Sequence, residues 1–147
     1  MAPNSLKAYH ISAARVTEDK DIILIKLLKG AINFIEFAKK GILQNSPDVK
    51  GRYISKTMAI IIELDTALDR DIKNEIVKNL SSLYQFILNS LSNANIKNNI
   101  AELNNTQKIL IDLKDGFISA TDKNKTDMYN VQTYAEHKPA IRLSVAL

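Results

Sequence analysis

LDRDIKNEIVKNLSSLYQFILNSLSNAN, residues 68–95, is the stretch on which the reading of the fold turns. Ile76, Leu80, Leu83, Ile87, Leu91 and Ala94 recur every three or four residues, which on an α-helix sets them along one stripe. The opposite side is unusual, because no charged residue occurs from Asn79 to Ile96. Its polar positions are Ser81, Ser82, Gln85, Asn89, Ser90, Ser92 and Asn93, with Phe86 among them. A solvated helix face ordinarily carries Lys and Glu, often paired four apart. Neutral hydroxyls and amides can be covered without desolvating a charge. Two readings stay open: a helix covered by a partner or by another part of its own chain, or a Ser/Asn-rich solvent face.

The segments on either side repeat the helical period. Upstream, residues 48–68 carry Ile54, Met58, Ile61, Leu64 and Leu68 at helical spacing, with Ile60 and Ile62 flanking that stripe. This helix is apolar over more than half its circumference, so it sits centrally or turns one flank to a partner. Pro47 beside Asp48 suits its start, and Asp69, Arg70 and Asp71 make a polar connection to the next helix. Further upstream, residues 19–43 trace Leu24, Leu28, Ala31, Ile35, Ala38 and Ile42, with acidic Glu18, Asp19 and Asp21 near the positive end of the helix dipole. Gly41 weakens the end of this helix, and Asn45, Ser46 and Pro47 turn the chain. Downstream, Asn98 or Asn99 supplies an N-cap for a helix over 99–119 on Ile100, Leu103, Thr106, Leu110, Leu113 and Phe117.

Four amphipathic helices joined by short turns predict an all-α fold, an antiparallel up-down-up-down four-helix bundle over residues 19–120 (helices 19–43, 48–68, 72–95 and 99–119). Residues 1–18 read as an N-terminal arm in which Tyr9 and Ile11 could tuck into a groove. TDKNKTD, from Thr121, reads as a polar hinge opening an extra C-terminal tail, 121–147. There Ile141, Leu143, Val145 and Leu147 alternate with Arg142, Ser144 and Ala146, a pattern that leaves the tail docked or disordered, since a lone strand has no ladder.

Composition excludes more than it names. The 147 residues suit one domain, with 46% apolar and 24% charged residues. No cysteine is present, so disulfides, thiolate chemistry and sulfur ligation drop out. The net charge of +4 is spread without a run of five like charges, which argues against a nucleic-acid tail. No apolar run is long enough to span a bilayer, and the start MAPNSLKAYH does not read as a signal peptide, so a cytoplasmic location is expected. His10 and His137 have no acid at ligand spacing, the four glycines stand apart, and no Glu-x-x-His motif exists. No catalytic residue, cofactor or metal is expected.

Several fragments in order resemble the flagellin export chaperones, the FliS family. They are Leu68-Asp69, Glu75-Ile76, Lys78-Asn79-Leu80, Leu83-Tyr84, Leu91, Ala94-Asn95 and Asn98-Asn99. Ala8-Tyr9, Gly30-Ala31-Ile32 with Phe34 and Ala38, and Leu110, Leu113, Lys114 and Phe117 extend the resemblance over residues 8–120. The chain departs from the family pattern at Lys73-Asn74, where Gly-Gly is common, at Asp19-Lys20, at Leu27-Leu28 and at Phe117. The resemblance implies a non-enzymatic cytoplasmic chaperone, monomeric or weakly dimeric. It would bind the C-terminal segment of flagellin, with possible contacts to other flagellar export components, and would use neither nucleic acid nor membrane insertion. An apolar client would lie along grooves of the bundle. The expected partner contacts are Tyr53, Ile60, Ile62, Tyr84, Phe86 and Leu88, each of which could instead be core, with Tyr9 as an arm residue that occupies the groove until a client displaces it. Rival readings are an adaptor or co-chaperone bundle with another client, and a basic nucleic-acid-binding module that would need Lys26, Lys29, Lys39 and Lys40 in one patch.

Overall fold

The computed structural model describes residues 16–72 and 74–130, with side chains described between 20 and 123. Four helices follow one another: α1 Val16–Leu43, α2 Pro47–Thr66, α3 Glu75–Lys97 and α4 Ile100–Asn130. Each packs on its chain neighbours, and α4 closes the ring against α1. Lateral contacts set the directions. Lys39, late in α1, reaches Asn104 and Gln107, early in α4, at 2.9 Å each. Lys50, early in α2, reaches the end of α3, and Asp65, late in α2, meets Ser81 and Gln85, early in α3. The bundle is antiparallel throughout, and no strand occurs among the described residues.

Short turns with definite caps make this topology. Asn45 adopts φ 51°; its own amide donates to Ile42 O and that of Ser46 to Gly41 O, the bonding of a Schellman turn. Ser46 caps α2 with Pro47 in its first turn. Asn98 repeats the left-handed cap after α3, while Asn99 Oδ1 accepts from Glu102 N at 3.1 Å and starts α4. Lys50 Nζ locks one bundle end by donating to Asn95 O at 2.8 Å and to Asn98 Oδ1 at 2.7 Å. A cation at the negative end of α3 is favoured there. Gly41 does more than weaken a helix end. A Cβ on it would stand 2.6 Å from Lys50 N and 3.0 Å from Lys50 Cα, so the turn closes this tightly only around glycine.

The core is one cluster fed by all four helices. In α1 the stripe Leu24, Leu28, Ala31, Ile35 and Ala38 is buried as its spacing predicts, with Ile42 half-buried. In α2 the stripe is shifted. Thr57 is fully buried, its hydroxyl bonded to Tyr53 O at 2.8 Å, while Met58 is half-buried. In α3 the expected register turns a little about the helix axis. Val77, Tyr84 and Leu91, seven apart, line the middle of the buried face with Leu80, Ile87 and Ala94, whereas Leu83 is half-buried and Ile76 is 48% exposed. The reason is local. Asn74 caps the helix by accepting from Val77 N at 3.1 Å, so α3 begins at Glu75 and Ile76 lies in its first turn, at the bundle's rim.

The largest departure from expectation is α4. It runs through TDKNKTD, where a hinge was expected, to Asn130. Thr121 stands one turn after Phe117 and is buried like it, so the core-facing stripe continues past the expected boundary. No Gly or Pro interrupts the stretch after Gly116 before Pro139. The first helix takes in residues 16–18 of the expected arm; residues 1–15 and those after Asn130 lie outside the described residues, and with them Tyr9, the two histidines and the alternating C-terminal residues.

Candidate partner-binding site

The two flanks of α2 differ in chemistry, and each forms a seam with a neighbouring helix. On the α3 side the organising group is Asp65, whose side chain is only 16% exposed. Its Oδ1 accepts from Arg70 Nη2 at 2.8 Å and from Ser81 Oγ at 3.0 Å, and its Oδ2 accepts from Gln85 Nε2 at 3.1 Å. Arg70 Nη1 also donates to Asp65 O at 2.9 Å, tying the α2–α3 connection back onto the helix. One carboxylate thus uses up two neutral side chains of α3. The uncharged side of this helix splits accordingly: half-buried Ser81 and exposed Gln85 are bonded to Asp65 of their own chain, and Ser90 is buried within the bundle. Ser82, Phe86, Asn89 and Asn93 face outward and are exposed.

Apolar surface borders this network. Ile62, three residues before Asp65, is 51% exposed, and Phe86, next to Gln85, is 55% exposed. Ile96 continues the outward row Phe86, Asn89, Asn93 and is 77% exposed. Reading the helix as ending at Asn95 hid Ile96, although its three-residue step from Asn93 marks it. At the other end of α3 an open cleft of about 660 Å³ lies beside the seam, lined by Ile72, Val77, Lys78, Ser81 and Ser82, with Arg70 at its wall.

The expected contact residues therefore separate. Ile62 and half-buried Leu88 lie on the α2–α3 flank, at helical spacing from Asp65 and Gln85, whereas Phe86 lies on the outward face of α3. Tyr53 and Ile60 belong to the opposite flank of α2, against α1, where Ile60 Cδ1 approaches Gly30 and the Tyr53 ring meets Phe34 and Phe37 at 5.7 and 5.0 Å between centroids. Tyr84 is a core residue: it has no exposed surface to offer a partner. Its hydroxyl has no hydrogen-bond partner, and burial, helped by the Asp65 carboxylate, pushes the phenol well above its ordinary range.

Of the four lysines named for a nucleic-acid patch, one is taken out of it. Lys39 is turned into the α1–α4 seam, where it bonds Asn104 and Gln107 and pairs with Glu36 at 2.8 Å. That pair, with the Gln107 amide at 2.8 Å from the same carboxylate, holds Glu36 below its ordinary value. Among the described residues no helix is long and apolar enough to cross a membrane.

Comparison with known proteins agrees with this architecture. Residues 2–124 match the family described as flagellar protein FliS. A relative from Vibrio cholerae named flagellar secretion chaperone FliS is 32% identical over 109 residues, 74% of this chain and 77% of that one. Proteins of the same name from Campylobacter jejuni (28% over 129 residues, 88% and 94%) and Bacillus subtilis (25% over 126 residues, 86% and 92%) align over still more of the chain. A four-helix antiparallel bundle that aligns with these relatives over most of its length, this chain belongs to the FliS family of flagellar secretion chaperones.

Proposed function

We propose that this chain binds the C-terminal segment of flagellin in the cytoplasm and keeps it from assembling before export. The observation that carries the reading is an outward α3 surface free of charge from Asn79 to Ile96 that exposes Phe86 and Ile96, with Ile62 exposed on α2. A client segment laid there buries apolar side chains without desolvating an ion, and Ser82, Asn89 and Asn93 offer neutral hydrogen-bond partners to its backbone. A client that orders on binding loses chain entropy, so it needs a long contact, and the row from the α3 N-terminal cleft to Ile96 provides one.

The test is calorimetric titration with the flagellin C-terminal segment from the same organism, using the full chain and a version ending at Asn130. The cut belongs after α4, because ending at Thr121 would remove helix. Saturable binding with a negative heat-capacity change is expected. Absence of binding by both forms would remove flagellin as the client and favour an adaptor role. Tighter binding by the shortened form would identify the C-terminal residues as a competitor for the same surface.

A further inference from the structure

On the far flank of α2, Phe34, Phe37 and Tyr53 form an aromatic cluster across the α1–α2 seam, with Phe37 still 42% exposed. Lys56 Nζ stands 5.5 Å from the Phe34 centroid and 5.4 Å from that of Tyr53, and Lys40 Nζ stands 5.5 Å from that of Phe37. Arg52, exposed, lies one turn before Lys56. From Lys29 to Leu43 and from Pro47 to Ile62 the two helices carry six cations and two acids; Lys39 is turned to α4 and Lys50 to the end of α3, which leaves Lys29, Lys40, Arg52 and Lys56. Of the two acids, Glu36 is turned the other way, to Lys39 and Gln107, and Asp48 lies in the first turn of α2. Neither sits at the aromatic cluster.

From this placement we propose a second docking surface, separate from the α2–α3 seam, that takes an acidic amphipathic helical segment of a partner protein. Charge complementarity selects the occupant. An apolar side chain of that segment packs against the exposed part of Phe37 and beside Tyr53, while carboxylates on its borders meet Lys40, Lys56 and Arg52. The rings are packed on one another, and the lysine heads lie over all three, so their faces are not free for a nucleobase to stack upon. What remains is a small apolar floor with a cationic rim, the arrangement of a protein contact in which an aromatic anchor supplies affinity and rim charges supply rate and selectivity.

The experiment is fluorescence anisotropy of the full chain with a labelled synthetic helix of about five turns, leucines on one face bordered by glutamates. A peptide of the same composition with the leucines dispersed and a thymidine oligonucleotide run beside it. Saturable binding of the amphipathic peptide is expected, weakened by added salt and weakened about tenfold by Phe37→Ser. Lys40→Glu with Lys56→Glu should weaken it at least as much and remove the salt dependence. Both variants should bind the flagellin segment as the parent chain does, which separates this surface from the one proposed above. Equal binding of the dispersed peptide, indifference to both variants, or no saturation would overturn the proposal. Tighter binding of the oligonucleotide, lost in the lysine variant, would overturn it in favour of nucleic acid. Should Phe37→Ser fail to fold by circular dichroism, the lysine pair, both exposed, decides alone.

Discussion

The two seams of α2 are a turn apart in sequence and opposite in chemistry. Toward α1 the helix presents Tyr53, Lys56 and Ile60 to a neighbour brought close by glycine, and the contact is aromatic and cationic. Toward α3 it presents Ile62 and Asp65, and the contact is one carboxylate shared among Arg70, Ser81 and Gln85, with open apolar surface beside it. The broad apolar circumference of this helix thus has a plain cause: it is packed on both sides as well as at the core. A first seam of rings excludes water by packing, whereas the second is held by one carboxylate, and the uncharged α3 surface outside that network can be covered at little electrostatic cost.

The largest test of the comparison removes what both seams rest on. Tyr84→Ala should lower stability by about 3–5 kcal/mol, the cost of emptying a fully buried aromatic site. Urea unfolding would measure it, and a loss below about 1 kcal/mol would deny Tyr84 its place in the core. Next, Gly41→Ala forces a methyl toward Lys50 backbone and should cost about 1–3 kcal/mol, despite the better helix propensity of alanine. A stabilised variant would show that the α1–α2 turn has slack, and the difference between the seams would shrink.

Function should separate them as well. Phe86→Ser is expected to weaken flagellin-segment binding about tenfold with no change in unfolding midpoint, because Phe86 is exposed in the free chain. Phe37→Ser should leave that binding untouched; equal losses in the two would merge the surfaces. Asp65→Ala leaves Arg70, Ser81 and Gln85 without their common acceptor and should cost about 1 kcal/mol, a modest value because the Arg70 side chain is half-exposed.

The smallest effect belongs to Tyr84→Phe. Removing a buried hydroxyl that has no partner should leave stability at neutral pH within about 0.5 kcal/mol, or raise it. The alkaline limb tells the two chains apart. With its pKa raised in the fold, Tyr84 keeps its proton above pH 10.0, where the unfolded phenol has begun to lose it. The parent chain therefore loses stability as pH rises beyond that value, and the phenylalanine variant should lose less.

Helix existence, the antiparallel order and the family are legible in the amino-acid sequence alone, because burial of a stripe forces a period of three to four and short Asn-, Ser- and Pro-bearing turns leave few ways to connect helices. Leu24 to Ala38 in α1 illustrates how directly spacing translates into core. The absence of charge on α3 is visible there too, and it points to a covered surface. What covers it is not visible, since nothing in a string of Ser, Gln and Asn says that Asp65, sixteen residues before Ser81, accepts from that serine and from Gln85. Nor can spacing say that Tyr53 and Ile62 leave α2 on opposite flanks toward different neighbours, or that Val77 rather than Ile76 enters the core. Those outcomes depend on where a cap starts a helix, and so on its rotation, and on which neighbour then meets each flank. Local sequence supplies the period, but only the packed bundle supplies the phase.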